Sequence, residues 1–354
     1  MNFMINGHNV FIIVIVTFFA SALLVPIVKR IAIHVNAMDI PNQRKIHKKP
    51  MPRMGGLAIF FSFLLGYMLY ARSTIQMLSI LIGGFIIIIM GMLDDIHSIP
   101  AKYKLLMQTV AASIVAVYGQ MLFDYFNLFG LNITFPFPLN YIITIFFIVA
   151  ITNAINLIDG IDGLSSGVST IYFLTIAVIA IILNKFEGLD ITLSLIMLGA
   201  TLGFLLHNFP PASIFVGDTG SCFLGFMISV IALIGFKTAT ITSLVIPLLI
   251  LAIPIMDTSL AIFRRLLKGE SIATADKEHL HHQLLNMKFS PRKTVLIIYF
   301  IDILFSLVSI FYVLGDDKMA LGIYGFLMIG LIFFVLRTNI LFDHTQKKKN
   351  QENK

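Results

Sequence analysis

The sequence predicts an all-α polytopic membrane protein, and three observations carry that reading. Apolar runs recur along all 354 residues, each near the length of about 20 residues that spans a bilayer as a helix. Hydrophobic residues make up 58% of the chain and charged residues only 12%, with a mean hydropathy of +0.94, which excludes an ordinary soluble domain. The charges are gathered into the segments between the runs instead of lying on helix faces, as they would in amphipathic surface helices.

Taken in order, the runs predict eleven spans at about 9–28, 55–71, 77–93, 105–123, 139–155, 164–183, 191–206, 221–236, 241–262, 294–314 and 319–336. The first, Phe11 to Val28, is followed by its basic residues and lacks a small-residue cleavage site, so it reads as a retained helix and not as a signal peptide. No internal repeat or low-complexity tract is apparent. A single integral-membrane domain is expected over 1–336, with functional loops at 29–54, 94–104, 156–163, 207–220 and 263–293 and a basic tail over 337–354 beside anionic lipid. The lone cysteine, Cys222, excludes an intrachain disulfide.

An odd number of spans puts the termini on opposite sides. Of the 25 Lys and Arg, all but Arg72, Lys185, Lys237 and Lys318 fall in one set of segments. By the positive-inside rule that set is cytoplasmic and the N-terminus lies outside. Asp94, Asp95, Asp159, Asp162 and Asp218 follow the same sidedness. Ionised carboxylates are too costly in hydrocarbon, so a polar pocket at the cytoplasmic boundary is expected to collect them.

Five stretches carry the chemistry. In the first, Asp94-Asp95 ends one span and is followed by Lys102 and Lys104; adjacent acids stay ionised only beside cations or a metal. The second, Asn153 to Leu164, holds two amides, two carboxylates and two glycines. In the third, Phe215-Val-Gly-Asp218-Thr-Gly, the glycines let backbone approach a ligand, and Asp218 or Thr219 is expected to cap the next helix, whose N-terminus attracts phosphate. The fourth is His279-Leu-His281-His282. There His279 and His282 share a helical face while His281 points elsewhere, so three non-converging rings without cysteine argue against zinc. Phosphate contact fits this stretch better, alongside Arg264, Arg265 and Lys268. The fifth is the basic loop from Asp39 to Gly56, where Lys48 is the candidate substrate-binding residue. Asp257 is expected to pair with the following arginines. Asp302, deep in a span, requires an interhelical hydrogen bond or a protonated acid.

Oxygen and amide ligands without thiolate favour Mg²⁺, or Mn²⁺, shared with phosphates. A site at the boundary meets a soluble nucleotide from one side and a lipid headgroup from the other, which points to phosphoryl transfer. A transporter would instead place its site near the midplane, on interrupted helices and often with repeats. No nucleic-acid partner is expected, and the oligomeric state is open, a homodimer included.

Asp94-Asp95, Asn153-x-x-Asn156-x-x-Asp159-Gly-x-Asp162-Gly-Leu164, Phe215-Val-Gly-Asp218 and His279-x-His281-His282 together resemble the polyprenyl-phosphate N-acetylhexosamine-1-phosphate transferases, over nearly the whole chain and in the same order. The resemblance implies transfer of a sugar 1-phosphate from a UDP-sugar to undecaprenyl phosphate in the bacterial plasma membrane, with release of UMP. It implies that Asn156 and Asp218 hold Mg²⁺, that Phe215 stacks on uracil, that Asp162 reads its edge and that Lys104 contacts the diphosphate. Asn153, Lys48, Arg264 and Arg265 are further candidates for substrate binding. Asp94, Asp95, Asp159 and the three histidines are candidates for the chemistry. The muramoyl-pentapeptide branch keeps a lysine where this chain has Ser98, and three consecutive histidines where this chain has Leu280 as an interruption. Both departures point to UDP-N-acetylglucosamine as donor, at the first membrane step of wall teichoic acid or a similar surface polymer.

Overall fold

The computed structural model describes residues 4–41, 49–123, 125–128, 131–183, 186, 188–237, 245–267, 269, 279–315 and 317–337. Lys48, Lys268 and the basic tail from 338 onward lie outside the described residues. The fold is helical, with three short antiparallel hairpins: β1 (Met4–Ile5) with β2 (His8–Asn9), β3 (Met38–Asp39) with β4 (Met51–Pro52), and β5 (Tyr125–Leu128) with β6 (Leu131–Thr134). The helices are α1 (Val10–His34), α2 (Gly56–Tyr70), α3 (Ile75–His97), α4 (Ala101–Ser113), α5 (Leu139–Ile158), α6 (Leu164–Ile182) and α7 (Leu189–Asn208). They continue with α8 (Gly217–Lys237), α9 (Val245–Ile250), α10 (Ala252–Leu267), α11 (Leu280–Asn286), α12 (Pro291–Val313) and α13 (Asp317–Arg337).

Among the described residues, eight helices are long and apolar enough to cross a membrane, and α2 is a shorter apolar helix. The remaining two of the eleven expected spans differ from simple rods. The 105–123 run is α4 followed by a π-helical turn at Ile114–Tyr118. The 241–262 run is divided into α9 and α10 at Leu251. Proline explains the division: Pro254 has no N–H to offer the carbonyl of Ile250, four residues earlier, so the ladder cannot continue there.

Local chemistry sets the helix ends that matter for the site. Thr74 accepts from Met77 N at 3.1 Å to start α3, which stops at Ser98 in a left-handed conformation (φ 50°). Ser290 caps α12, and Pro291 occupies its first turn, where a missing N–H costs nothing. The expected loops are therefore shorter than the sequence suggests. Asp94 and Asp95 belong to the last turn of α3, Lys104 to the first turn of α4, and Asn156 to the last turn of α5.

At the centre stands α8, with 94% of its span buried, against 17% for α13 at the periphery. It packs on α2, α3, α5, α6 and α7. Glycine permits this density: a methyl group at Gly56 would overlap the Cα of Gly220, and one at Gly91 would overlap Thr219 backbone. The N-terminus of α8, which carries Asp218, is thus seated backbone against backbone on α2 and α3.

Candidate active site

Asp218 is the hub. Its Oδ2 lies 2.5 Å from Lys104 Nζ, and the same ammonium lies 2.6 Å from Asp94 Oδ2. Its Oδ1 accepts from Asn156 Nδ2 at 3.2 Å, and that amide also donates to Ser221 Oγ at 2.8 Å. Asp94 Oδ1 in turn accepts from Ile99 N at 2.8 Å. Four residues from α3, α4, α5 and α8 meet at one end of the bundle, as the sidedness of the acids required.

Asp95 has a different position from its neighbour. Its Oδ1 accepts from Asp218 N at 2.9 Å, and its Oδ2 accepts from Thr219 N at 3.1 Å and Thr219 Oγ1 at 2.6 Å. Arg53 Nε lies 3.4 Å from Asp95 Oδ1. The cap of α8 therefore comes from Asp95 on another helix, and not from Asp218 or Thr219 as expected. Burial disfavours charge on Arg53, but the surrounding carboxylates, Asp95 foremost, outweigh it and raise the guanidinium pKa.

The loop before α8 is sewn to the β3–β4 hairpin and the start of α2. Phe215 N donates to Pro52 O at 2.9 Å, Gly55 N donates to Phe215 O at 3.0 Å, and Gly56 N donates to Val216 O at 3.0 Å. A cavity of about 850 Å³ opens beside it, lined in part by Asn156, Asp159, Asp162, Phe215 and Asp218. His282, Lys49, Arg53 and Arg292 also line it. Asp162 Oδ2 accepts from Ala212 N at 2.9 Å. Asn208 ties the two walls together: Oδ1 accepts from Gly163 N at 3.0 Å and Nδ2 donates to Ile214 O at 3.0 Å. Asp159 Oδ1 accepts from Ser165 Oγ at 2.6 Å, and burial raises its pKa to about 7.

The histidines depart from expectation. Because α11 begins only at Leu280, His279 is its cap residue and its side chain is not set by helical spacing. The three rings do converge, with centroids 4.3 Å apart for His281 and His282 and 5.7 Å apart for His279 and His281, the latter pair stacked. His279 Nδ1 lies 2.8 Å from Asp257 Oδ2, and Leu280 N donates to Asp257 Oδ1 at 2.9 Å. Asp257 thus braces α11, where the sequence suggested an arginine pairing. His281 presses against Gly160, leaving no room for a side chain there. Burial, with His282 adding to it, lowers the His281 pKa to about 3.

Other candidates are not brought to the cavity. Asn153 Nδ2 donates to Gln108 Oε1 at 2.6 Å and to Val149 O at 2.8 Å, one turn deeper than Asn156. Arg264 and Arg265 are buried on α10 and do not line the cavity. Asp302 is fully buried in α12, and among the described residues neither of its carboxylate oxygens has a hydrogen-bond partner. Sequence reasoning missed Arg53, Arg292 and Asn208. The first two looked like positive-inside charge. The third is a polar residue closing an apolar helix just before Phe209-Pro210-Pro211, and that position was the available signal.

For a divalent metal, Asp218 and Asn156 offer two oxygen-bearing side chains beside the cavity. Among the described residues no group of three or more His, Cys, Asp or Glu forms a self-sufficient cage. This donor set fits an ion that takes its other ligands from phosphates and water, as Mg²⁺ does.

Comparison with known proteins agrees with the geometry. The family model described as "Glycosyl transferase family 4" matches residues 77–236. A Bacillus subtilis protein, "Probable undecaprenyl-phosphate N-acetylglucosaminyl 1-phosphate transferase", is 46% identical over 304 residues, covering 84% of each chain. A "Decaprenyl-phosphate N-acetylglucosaminephosphotransferase" of Mycolicibacterium smegmatis is 33% identical, covering 87% of this chain and 83% of its own. The "Undecaprenyl-phosphate alpha-N-acetylglucosaminyl 1-phosphate transferase" of Escherichia coli K12 is 30% identical, covering 76% and 75%. The matched region holds the acid pair, the asparagine-rich stretch and Asp218, the residues that converge in the fold. This chain is a multi-pass membrane protein belonging to glycosyl transferase family 4, with these polyprenyl-phosphate N-acetylglucosamine 1-phosphate transferases among its relatives.

Proposed function

We propose that the protein transfers N-acetylglucosamine 1-phosphate from UDP-N-acetylglucosamine to undecaprenyl phosphate, releasing UMP, at the cytoplasmic face of the bacterial plasma membrane. The observation that carries this reading is the junction at Asp218, where Lys104, Asp94 and Asn156 gather at the edge of a cavity also lined by Phe215 and Asp162. Such a site suits a nucleotide diphosphate whose base reaches Phe215 and Asp162 while its phosphates reach Asp218. The relatives' names supply the substrates.

The residues divide the work. Phe215 offers a face for uracil, and its backbone bonds to Pro52 and Gly55 hold that face in place. Asp162 retains one carboxylate oxygen for the base edge after accepting from Ala212 N. Asn156 and Asp218 would hold Mg²⁺, or Mn²⁺, on the diphosphate, and the ion would supply charge neutralisation there. Lys104, already within 2.5 Å of Asp218 and 2.6 Å of Asp94, brings a positive charge to where two anionic substrates must meet.

A phosphate monoester has its second pKa near about 6, so the acceptor is largely dianionic without a base. Its oxygen attacks the phosphorus nearest the sugar. A new P–O bond forms, the bond to the bridging oxygen breaks, and UMP leaves with that oxygen. No proton needs to move. Asp94 fits this scheme because it is engaged with Lys104 and Ile99 N and therefore orients the ammonium instead of taking a proton. The barrier is mostly charge repulsion, which preorganised cations lower.

The test is UMP release from UDP-N-acetylglucosamine by membranes containing the protein, supplied with undecaprenyl phosphate and Mg²⁺. No release sinks the reading, and release from UDP-MurNAc-pentapeptide alone would change the donor. A phosphosugar-enzyme adduct trapped without acceptor would replace direct attack by a covalent route.

A further inference from the structure

Asp94 and Asp95 are adjacent in sequence but serve different parts of the fold. We propose that Asp95 is a positioning residue: with Arg53 it clamps the first turn of α8, so that Asp218 faces Lys104 and Asn156. This inference rests on the metal and phosphate role proposed for Asp218.

Both Asp95 oxygens are committed to the α8 terminus through Asp218 N, Thr219 N and Thr219 Oγ1, at 2.6 to 3.1 Å. The side chain is fully buried, and it is absent from the cavity lining. A carboxylate at a helix N-terminus satisfies free amides and complements their positive end. Arg53, 3.4 Å away, offsets the cost of burying that charge. Gly217 is required by the same contact. It has φ +71°, and a methyl group there would strike the Asp95 carboxylate. Arg53 follows β4, whose Pro52 O accepts from Phe215 N. The clamp therefore joins the β3–β4 hairpin, the Phe215 loop and Asp218, the residue that would hold the metal.

The role predicts a particular defect. Loosening the clamp should let Asp218 swing, which weakens metal binding while leaving the reacting groups present. Residues that orient a metal ligand typically change affinity about 10- to 100-fold. For Asp95→Asn we expect the Mg²⁺ concentration for half-maximal turnover to rise about 10- to 100-fold, with most of kcat recovered at saturating Mg²⁺. Mn²⁺ binding in the presence of UMP, followed by electron paramagnetic resonance, should weaken in parallel, and the Asp218 and Thr219 amides should exchange faster. Thr219→Val, which removes only the hydroxyl bond, should shift the same quantities less, and it decides the question if Asp95→Asn does not fold.

Loss of kcat at every Mg²⁺ concentration, with unchanged Mn²⁺ binding and amide exchange, would overturn the proposal and return Asp95 to the chemistry. If the wild-type protein turns over without divalent metal, the metal reading of Asp218 fails instead. Amide exchange in Asp95→Asn then still reports whether the clamp exists, and unchanged exchange overturns it.

Discussion

The two sides of Asp218 are built differently. On one side Asp94, Asp95, Lys104 and Arg53 are joined by ion pairs and short hydrogen bonds at 2.5 to 3.4 Å. On the other, Asp159, Asp162, Phe215 and His282 border an open volume of about 850 Å³. The first side is organised before any substrate arrives, so its charges need little rearrangement during reaction. The second side borders the cavity and, on the proposed reading, would receive the donor. The contrast suggests that charge management is a property of the fold, while donor recognition is completed on binding.

The comparison can be tested by mutation, from the largest effect downward. Asp218→Ala removes the group shared by both sides and should abolish turnover in a UMP-release assay. Lys104→Met leaves the cavity intact but takes the cation from the prebuilt side; kcat should fall about 10²- to 10³-fold with little change in KM for the UDP-sugar. A large KM effect there would erase the distinction. Phe215→Ala acts on the open side and should raise KM about 10-fold through lost stacking, with kcat largely kept. Asp94→Asn should cost only modest activity if the acid orients Lys104, whereas complete loss would restore it as base or nucleophile.

The smallest effect concerns pH and stability. Burial holds the His281 pKa at about 3, below its ordinary 6.5. The folded state then binds fewer protons than the unfolded chain between those values, so this group's contribution is present above about 6.5 and lost as pH falls toward 3. Thermal unfolding in detergent should shift to lower temperature as pH is lowered from 7 to 5. The slope should flatten in His281→Gln; an unchanged slope would exclude His281 as its source.

Much of this molecule is legible in its sequence. Apolar run length determines helix content, because hydrocarbon demands that backbone groups be satisfied within the segment. That Asp94 and Asp218 meet at one end of the bundle was foreshadowed by placing Asp94, Asp95, Asp159, Asp162 and Asp218 at one membrane boundary. What resisted reading was pairing. The separate fates of Asp94 and Asp95 depend on which faces of α3 meet α4 and α8, and no local pattern records that. Arg53 was hidden among charges with a topological explanation. Assuming a helix from His279 onward scattered rings that a start at Leu280 brings together. Asp257 was assigned to neighbours in sequence when its partner was His279, on another element.

The glycine contacts beneath α8 bear on how this enzyme could be re-engineered. Gly56, Gly91 and Gly220 set backbone against backbone, so no side chain can be added at these positions without moving α8. Directed evolution toward a new donor sugar has its freedom at Lys49 and Arg292, which line the open side. A saturation library should find the three glycines as intolerant as Asp218 itself, although none of them lines the cavity.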